Sequence, residues 1–189
     1  MEKSIAQHPK IYIIILNYNG WQDTIECVES VFHSSYSEYR IVIVDNASPN
    51  DSLAQIRCWA KGECRFEEEV RYPELVYPNV SKPLDVTYCQ EQETYENINL
   101  KDQEIIVIKS NKNRGFASGN NIGMKLALAQ KECDFIWLLN NDTVVEKNTL
   151  ATMISKYKSV DEKIGVMGST LYYYDNPEVM QGRGRLLTC

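Results

Sequence analysis

Four places in this 189-residue sequence set amides or carboxylates after a run of apolar residues. Asn17, Tyr18 and Asn19 follow the run 11–16. Asp45, Asn46 and Ser48 follow 41–44, and Asn111, Asn113 and Arg114 follow 105–108. Asn140, Asn141 and Asp142 end the series after 135–139. Short polar side chains at the lips of buried strands can hold a ligand by hydrogen bonds. Taken singly, each is better explained as turn chemistry, since Asn and Asp are common after strands. The row as a whole points to a ligand edge.

The residue types suggest a division of labour. Asp45 offers a fixed carboxylate that can accept the imide N–H of a uracil or thymine base; the competing explanation is helix capping shared with Ser48, Asn50 and Asp51. Asp142, with Asn140 two residues before it, offers oxygen ligands to a hard divalent cation such as Mg2+ or Mn2+, which takes one or two carboxylates plus substrate phosphates. The competing explanation there is a turn before the next helix. Arg114-Gly115-Phe116-Ala117-Ser118-Gly119-Asn120-Asn121 opens a helix with small residues, and free backbone N–H groups beside an arginine suit a diphosphate. The segment is neither a Walker loop nor a GxGxxG motif.

The elements that must position these residues are legible from periodicity. The run 11–16 is continuous and β-branched, as in a strand buried on both faces of a parallel sheet. Trp21, Ile25, Val28 and Phe32 then share one helical face. Strand 41–44 and helix 51–60 repeat the alternation, followed by strand 105–108, helix 117–130, strand 135–139, helix 147–158 and strand 164–167. This order predicts an α/β fold in which a mostly parallel sheet is flanked by helices and binds ligands at the carboxyl ends of its strands. One domain, 1–189, is expected. Between 61 and 104 the periodicity is lost, and 62–104 holds eleven acidic residues against four basic ones. That stretch reads as an acidic insertion or surface excursion.

Composition bounds the remaining classes. With 43% hydrophobic and 24% charged residues, neither disorder nor a fibrous repeat is favoured. A net charge of -6 without a basic face argues against nucleic acid as a partner. No apolar run reaches the length of a membrane span and residues 1–10 lack an apolar leader, so the expected place is cytoplasmic, with peripheral association at the inner face of the membrane left open. Cysteines 27, 58, 64, 89, 133 and 189 form no CxxC pair and read as reduced thiols.

Four blocks together resemble the family 2 glycosyltransferases of GT-A type, particularly the rhamnosyltransferase-like group that builds bacterial surface polysaccharides. They are Ile13-Ile14-Ile15-Leu16-Asn17-Tyr18-Asn19-Gly20, Ile43-Val44-Asp45-Asn46-Ala47-Ser48, Asn113-Arg114-Gly115-Phe116-Ala117-Ser118-Gly119-Asn120-Asn121-Ile122-Gly123 and Trp137-Leu138-Leu139-Asn140-Asn141-Asp142-Thr143. The resemblance implies that Tyr18 and Asp45 touch the nucleoside, with Asn17 and Asn46 beside it. It further implies that Arg114, Gly115, Asn121 and Asn141 lie along the diphosphate and donor sugar. Asp142 would be the metal ligand of the family's DxD-type motif, and Asn140 stands at the first position of that motif.

The function so implied is metal-dependent, inverting transfer of a sugar from a UDP- or dTDP-sugar to a saccharide or lipid-linked saccharide acceptor. The family's general base lies in a segment beyond residue 189, so this chain reads as the nucleotide-sugar-binding half. Two rival readings remain: a catalytically incomplete nucleotide-sugar-binding or protein-interaction module using the acidic excursion as its surface, and a Rossmann-like domain for some other nucleotide.

Overall fold

The structure is a computed structural model that describes residues 7–66, 69–91, 105–160 and 164–188. Strand β1 (Ile11–Asn17) leads into helix α1 (Trp21–Phe32), and β2 (Tyr39–Asp45) into α2 (Ser52–Lys61). A short helix α3 (Pro73–Val76) and strand β3 (Val86–Gln90) come next. Then follow β4 (Ile105–Lys109), α4 (Phe116–Ala129), β5 (Phe135–Asn140) and α5 (Thr149–Lys158). Strands β1 to β5 form one sheet in the order β3-β4-β2-β1-β5, every pairing parallel.

Alternation along the central strands divides the core in two. Ile11, Ile13, Ile15, Ile41, Ile43, Ile105 and Val107 point to one face, where they meet Ile25 and Val28 of α1, Ile56 of α2 and Ile154 of α5. Tyr12, Ile14, Leu16, Val42, Val44, Ile106 and Ile108 point to the other, under Ile122 and Leu126 of α4. Both faces are covered, which is why these strands read as unbroken apolar runs. Helix α4 approaches the sheet closely because it carries glycine there. A Cβ on Gly119 would stand 2.4 Å from Leu16 Cδ1, and one on Gly123 would stand 2.6 Å from Ile14 Cγ2.

Three expectations need correction. The 61–104 stretch is not wholly an excursion, because β3 lies within it and pairs with β4 from Val86 to Gln90, while Phe66 and Val76 are buried in the core. An edge strand has one neighbour and a half-exposed surface, so Val-Thr-Tyr-Cys-Gln shows no continuous apolar run. Residues 67–68 and 92–104 of the stretch lie outside the described residues. Secondly, Cys58 and Cys64 are joined in a disulfide, with Cα atoms 5.3 Å apart. Gly62, at φ +77°, turns the chain back at the end of α2 and brings Cys64 under Cys58. Cys27, Cys89 and Cys133 remain thiols, and Cys189 lies outside the described residues. Thirdly, β6 (Ile164–Met167) forms as expected but pairs antiparallel with β9 (Leu186–Thr188), outside the five-stranded sheet. Between them β7 (Leu171–Tyr172) and β8 (Met180–Gly182) form a second antiparallel pair. Among the described residues no helix is long and apolar enough to cross a membrane.

Candidate functional site

Strand β1 is the point where the strand order reverses, with β2 and β4 on one side and β5 on the other. In open α/β sheets the crevice beside such a point is where ligands bind. An open cleft of about 360 Å³ lies there, bounded by Leu16 and Tyr18 after β1, Asn46 after β2, Asn113, Gly115 and Phe116 at the start of α4, and Asn140, Asn141 and Asp142 after β5.

The polar row divides into an inner and an outer set. Asn17 is fully buried and its side chain is wholly engaged: Nδ2 donates to Asp45 Oδ1 at 2.7 Å and to Ser48 Oγ at 3.2 Å, and Oδ1 accepts from Thr24 Oγ1 at 3.0 Å. Asp45, also buried, accepts from Ser48 Oγ at 2.6 Å and from the Ser48 backbone N–H at 3.2 Å. These two residues brace the ends of β1 and β2 against each other and do not line the cleft. The capping explanation for Asp45 takes the form of a turn closed on Ser48.

Asn46 belongs to the outer set. It is buried, and its Nδ2 donates to Asn113 Oδ1 at 3.0 Å and to the Gly115 carbonyl at 3.5 Å. Asn113 Oδ1 also accepts from the Gly115 N–H at 2.8 Å, so both of Asn46's partners are acceptors and the orientation of its amide follows. Asn46 Oδ1 is thereby left buried with no partner among the described residues. Gly115, at φ +84°, allows the turn that brings the loop back to Asn46 and into α4. Asn141 donates to the Gly20 carbonyl and to Thr24 Oγ1, which ties the end of β5 to the start of α1.

Asp142 is exposed in the turn after β5, with Asn140 beside it. Thr143 Oγ1 donates to the Asn140 carbonyl at 2.6 Å and closes that turn. Asp23, in the first turn of α1, is close enough that burial and the Asp142 charge together hold its carboxyl above the ordinary aspartate range. Burial pushes the Cys27 thiol beneath this corner up to about 12, so it stays protonated. The described residues contain no cluster of three or more His, Cys, Asp or Glu able to hold a metal ion.

Two further expected residues, besides Asn17 and Asp45, lie apart from the cleft lining. Arg114 is ion-paired with Glu91, and Asn121 is exposed on the second turn of α4. Sequence reading passed over Asp23 and Glu91. Asp23 had a weak signal as an acidic residue in a helix's first turn. Glu91 had none, being one of many acidic residues in an aperiodic stretch.

No curated protein sequence matches the chain significantly. Among solved structures, S. aureus TarS 1-349, determined alone and in complex with UDP, superposes with a TM-score of 0.51 at 16% identity, over 82% of this chain and 34% of that one. The mannosyltransferase PcManGT from Pyrobaculum calidifontis, determined with GDP-Man and Mn2+, superposes with a TM-score of 0.56 at 15% identity, over 92% of this chain and 39% of that one. At such identities the likeness is one of fold, an α/β fold of GT-A type, and the chain spans 34% to 39% of the length of these structures. Residues 12–74 and 87–186, which include every residue lining the cleft, match the profile of Glycosyl transferase family 2, and on that match the chain belongs to this family.

Proposed function

We propose that the cleft binds a nucleoside diphosphate sugar and that the chain supplies the donor side of a metal-dependent sugar transfer to a saccharide or lipid-linked saccharide. The observation that carries this reading is Asn46 Oδ1, a buried acceptor on the cleft lining that awaits a donor such as a ribose hydroxyl. Tyr18, 48% exposed at the same cleft, offers a ring face to the base. The N-terminus of α4, opening at Phe116 on the cleft, directs free N–H groups toward a diphosphate.

Asp142 and Asn140 would hold Mg2+ or Mn2+. An isolated carboxylate and an amide do not complete a coordination shell, and this donor set fits a cation shared with substrate phosphates. When bound, the ion offsets the charge that develops on the leaving diphosphate.

The test is calorimetry with UDP in the presence of Mn2+ and again after chelation. Binding is expected with Mn2+ and weakens about tenfold or more without it. No binding at millimolar UDP removes the reading. A rhamnosyl donor and a role in surface polysaccharide are the finer form of the proposal, tested by comparing release of sugar from dTDP-rhamnose and from UDP-sugars.

A further inference from the structure

The described residues of the acidic stretch before β4 are not among those lining the cleft, yet the last of them reaches the loop behind one cleft wall. Glu91 follows β3 directly. Its Oε2 accepts from Ser110 Oγ at 3.0 Å and from the Asn111 backbone N–H at 2.9 Å, while Oε1 pairs with Arg114 Nη1. The Glu91 backbone N–H donates to the Lys109 carbonyl at 3.1 Å, which keeps it in register with the end of β4.

One carboxylate thus grips the loop at its start, through Ser110 and Asn111, and near its end, through Arg114. The residues between and just beyond include Asn113 and Gly115, which line the cleft and receive the amide of Asn46 from the inner side. The loop is therefore held from both sides: Asn46 within the cleft and Glu91 behind it. Hydrogen bonds to an ionised acceptor are roughly twice as strong as neutral ones. Glu91 stays ionised, because the Asn111 N–H foremost, and Arg114 and Ser110 after it, hold its carboxyl below the usual glutamate range against the opposing effect of burial.

We propose that Glu91 is a positioning residue for nucleotide binding, with Arg114 as its strut, and that Arg114 acts through the 110–115 loop and not by touching the diphosphate. The proposal rests on the nucleotide-binding reading of the cleft. Its opposite has a distinct signature. If Arg114 were a phosphate ligand, Glu91 would compete with the diphosphate for the guanidinium, and removing Glu91 would tighten binding.

The experiment uses the full chain and its Glu91→Ala, Glu91→Gln, Arg114→Ala and Glu91→Ala/Arg114→Ala variants, each verified as folded by circular dichroism. UDP affinity with Mn2+ is measured by calorimetry, and amide exchange is followed without nucleotide. Each alanine variant is expected to bind UDP about tenfold more weakly, and the double variant no more weakly than the worse single one, because the pair acts as a unit. Glu91→Gln, which retains an acceptor for the Asn111 N–H, recovers part of the loss. Exchange at Asn111 and Gly115 speeds up in Glu91→Ala. Tighter binding by Glu91→Ala, unchanged binding by it, or unchanged exchange at the loop each overturns the inference. Absence of UDP binding by the unaltered chain overturns the nucleotide reading and this role with it, whereas binding that Glu91→Ala leaves intact overturns this role alone.

Discussion

Asn17 and Asp142 show how similar side chains at neighbouring strand ends come to differ. Every polar atom of the Asn17 side chain is engaged inside the protein. Asn17→Ala takes one donor from the buried Asp45 carboxylate, which keeps its bonds from Ser48, and one acceptor from the Thr24 hydroxyl, which keeps the Gly20 carbonyl; the expected cost is about 1–2 kcal/mol, read as a lower urea midpoint. Asp142→Ala removes an exposed carboxylate, so stability stays within about 0.5 kcal/mol while the Mn2+-dependent part of UDP binding is lost. The two variants should therefore separate in opposite directions on the two measurements. Glu91 adds a pH signature. Its folded-state carboxyl is depressed by the Asn111 N–H and Arg114, so the stabilisation it confers is present above the ordinary glutamate value of 4.5 and is lost as pH falls through the depressed one. Amide exchange at Asn111, corrected for intrinsic rate, should rise over that acid interval in the unaltered chain. It should not do so in Glu91→Ala.

Helix α4 couples the core to the cleft. Its Gly123 lies against Ile14 Cγ2 and, at 3.2 Å from the would-be Cβ, against Val44 Cγ2, both branched side chains with little freedom to turn away. Gly123→Ala is expected to lift the helix and to cost about 1–3 kcal/mol through overpacking, despite alanine's better helix propensity. Because the N-terminus of the same helix carries Gly115 and Phe116 at the cleft, UDP affinity should fall together with stability. A variant that lost stability with unchanged affinity would show that the helix does not transmit the shift. The helical period of 117–130 was visible in the sequence, but its glycines carried no sign of which strand they would meet. Contact with β1 and β2 depends on the crossover from β4 to β5, which spans both.

Across the molecule, two polar ties fasten irregular segments to the sheet-and-helix body. Glu29, fully buried on α1, accepts from Trp59 Nε1 at 2.9 Å, the Val80 N–H at 3.0 Å and Lys82 Nζ at 2.8 Å. Glu29→Ala leaves a buried ammonium and an indole N–H without their partner, and a loss of about 3–5 kcal/mol in denaturant unfolding is expected. Tyr174 is the second tie: its hydroxyl donates to Glu26 Oε1 at 2.7 Å and accepts from the Arg71 N–H at 3.1 Å, while its carbonyl accepts from Tyr72 Oη at 2.6 Å. Tyr174→Phe should speed amide exchange in the β7–β8 hairpin and leave the five-stranded sheet as protected as before.

The α/β class, the central strands and the polar row at their ends follow from the chain itself. A parallel strand covered on both faces must be apolar throughout, and the ligand edge must be polar where the run stops. Edge strand β3 escaped because half of it faces outward and its periodicity is diluted. The disulfide escaped because it depends on a left-handed turn at Gly62. Nor could spacing along the chain sort Asn17 and Asp45 into the bracing set, or Asn46 and Asp142 into the cleft. That sorting depends on contacts between residues 17 and 45, 46 and 113, and 91 and 114, which the strand order and the crossover helix bring together. Local residue types decided what chemistry was on offer, and long-range packing decided which atoms remained free to perform it.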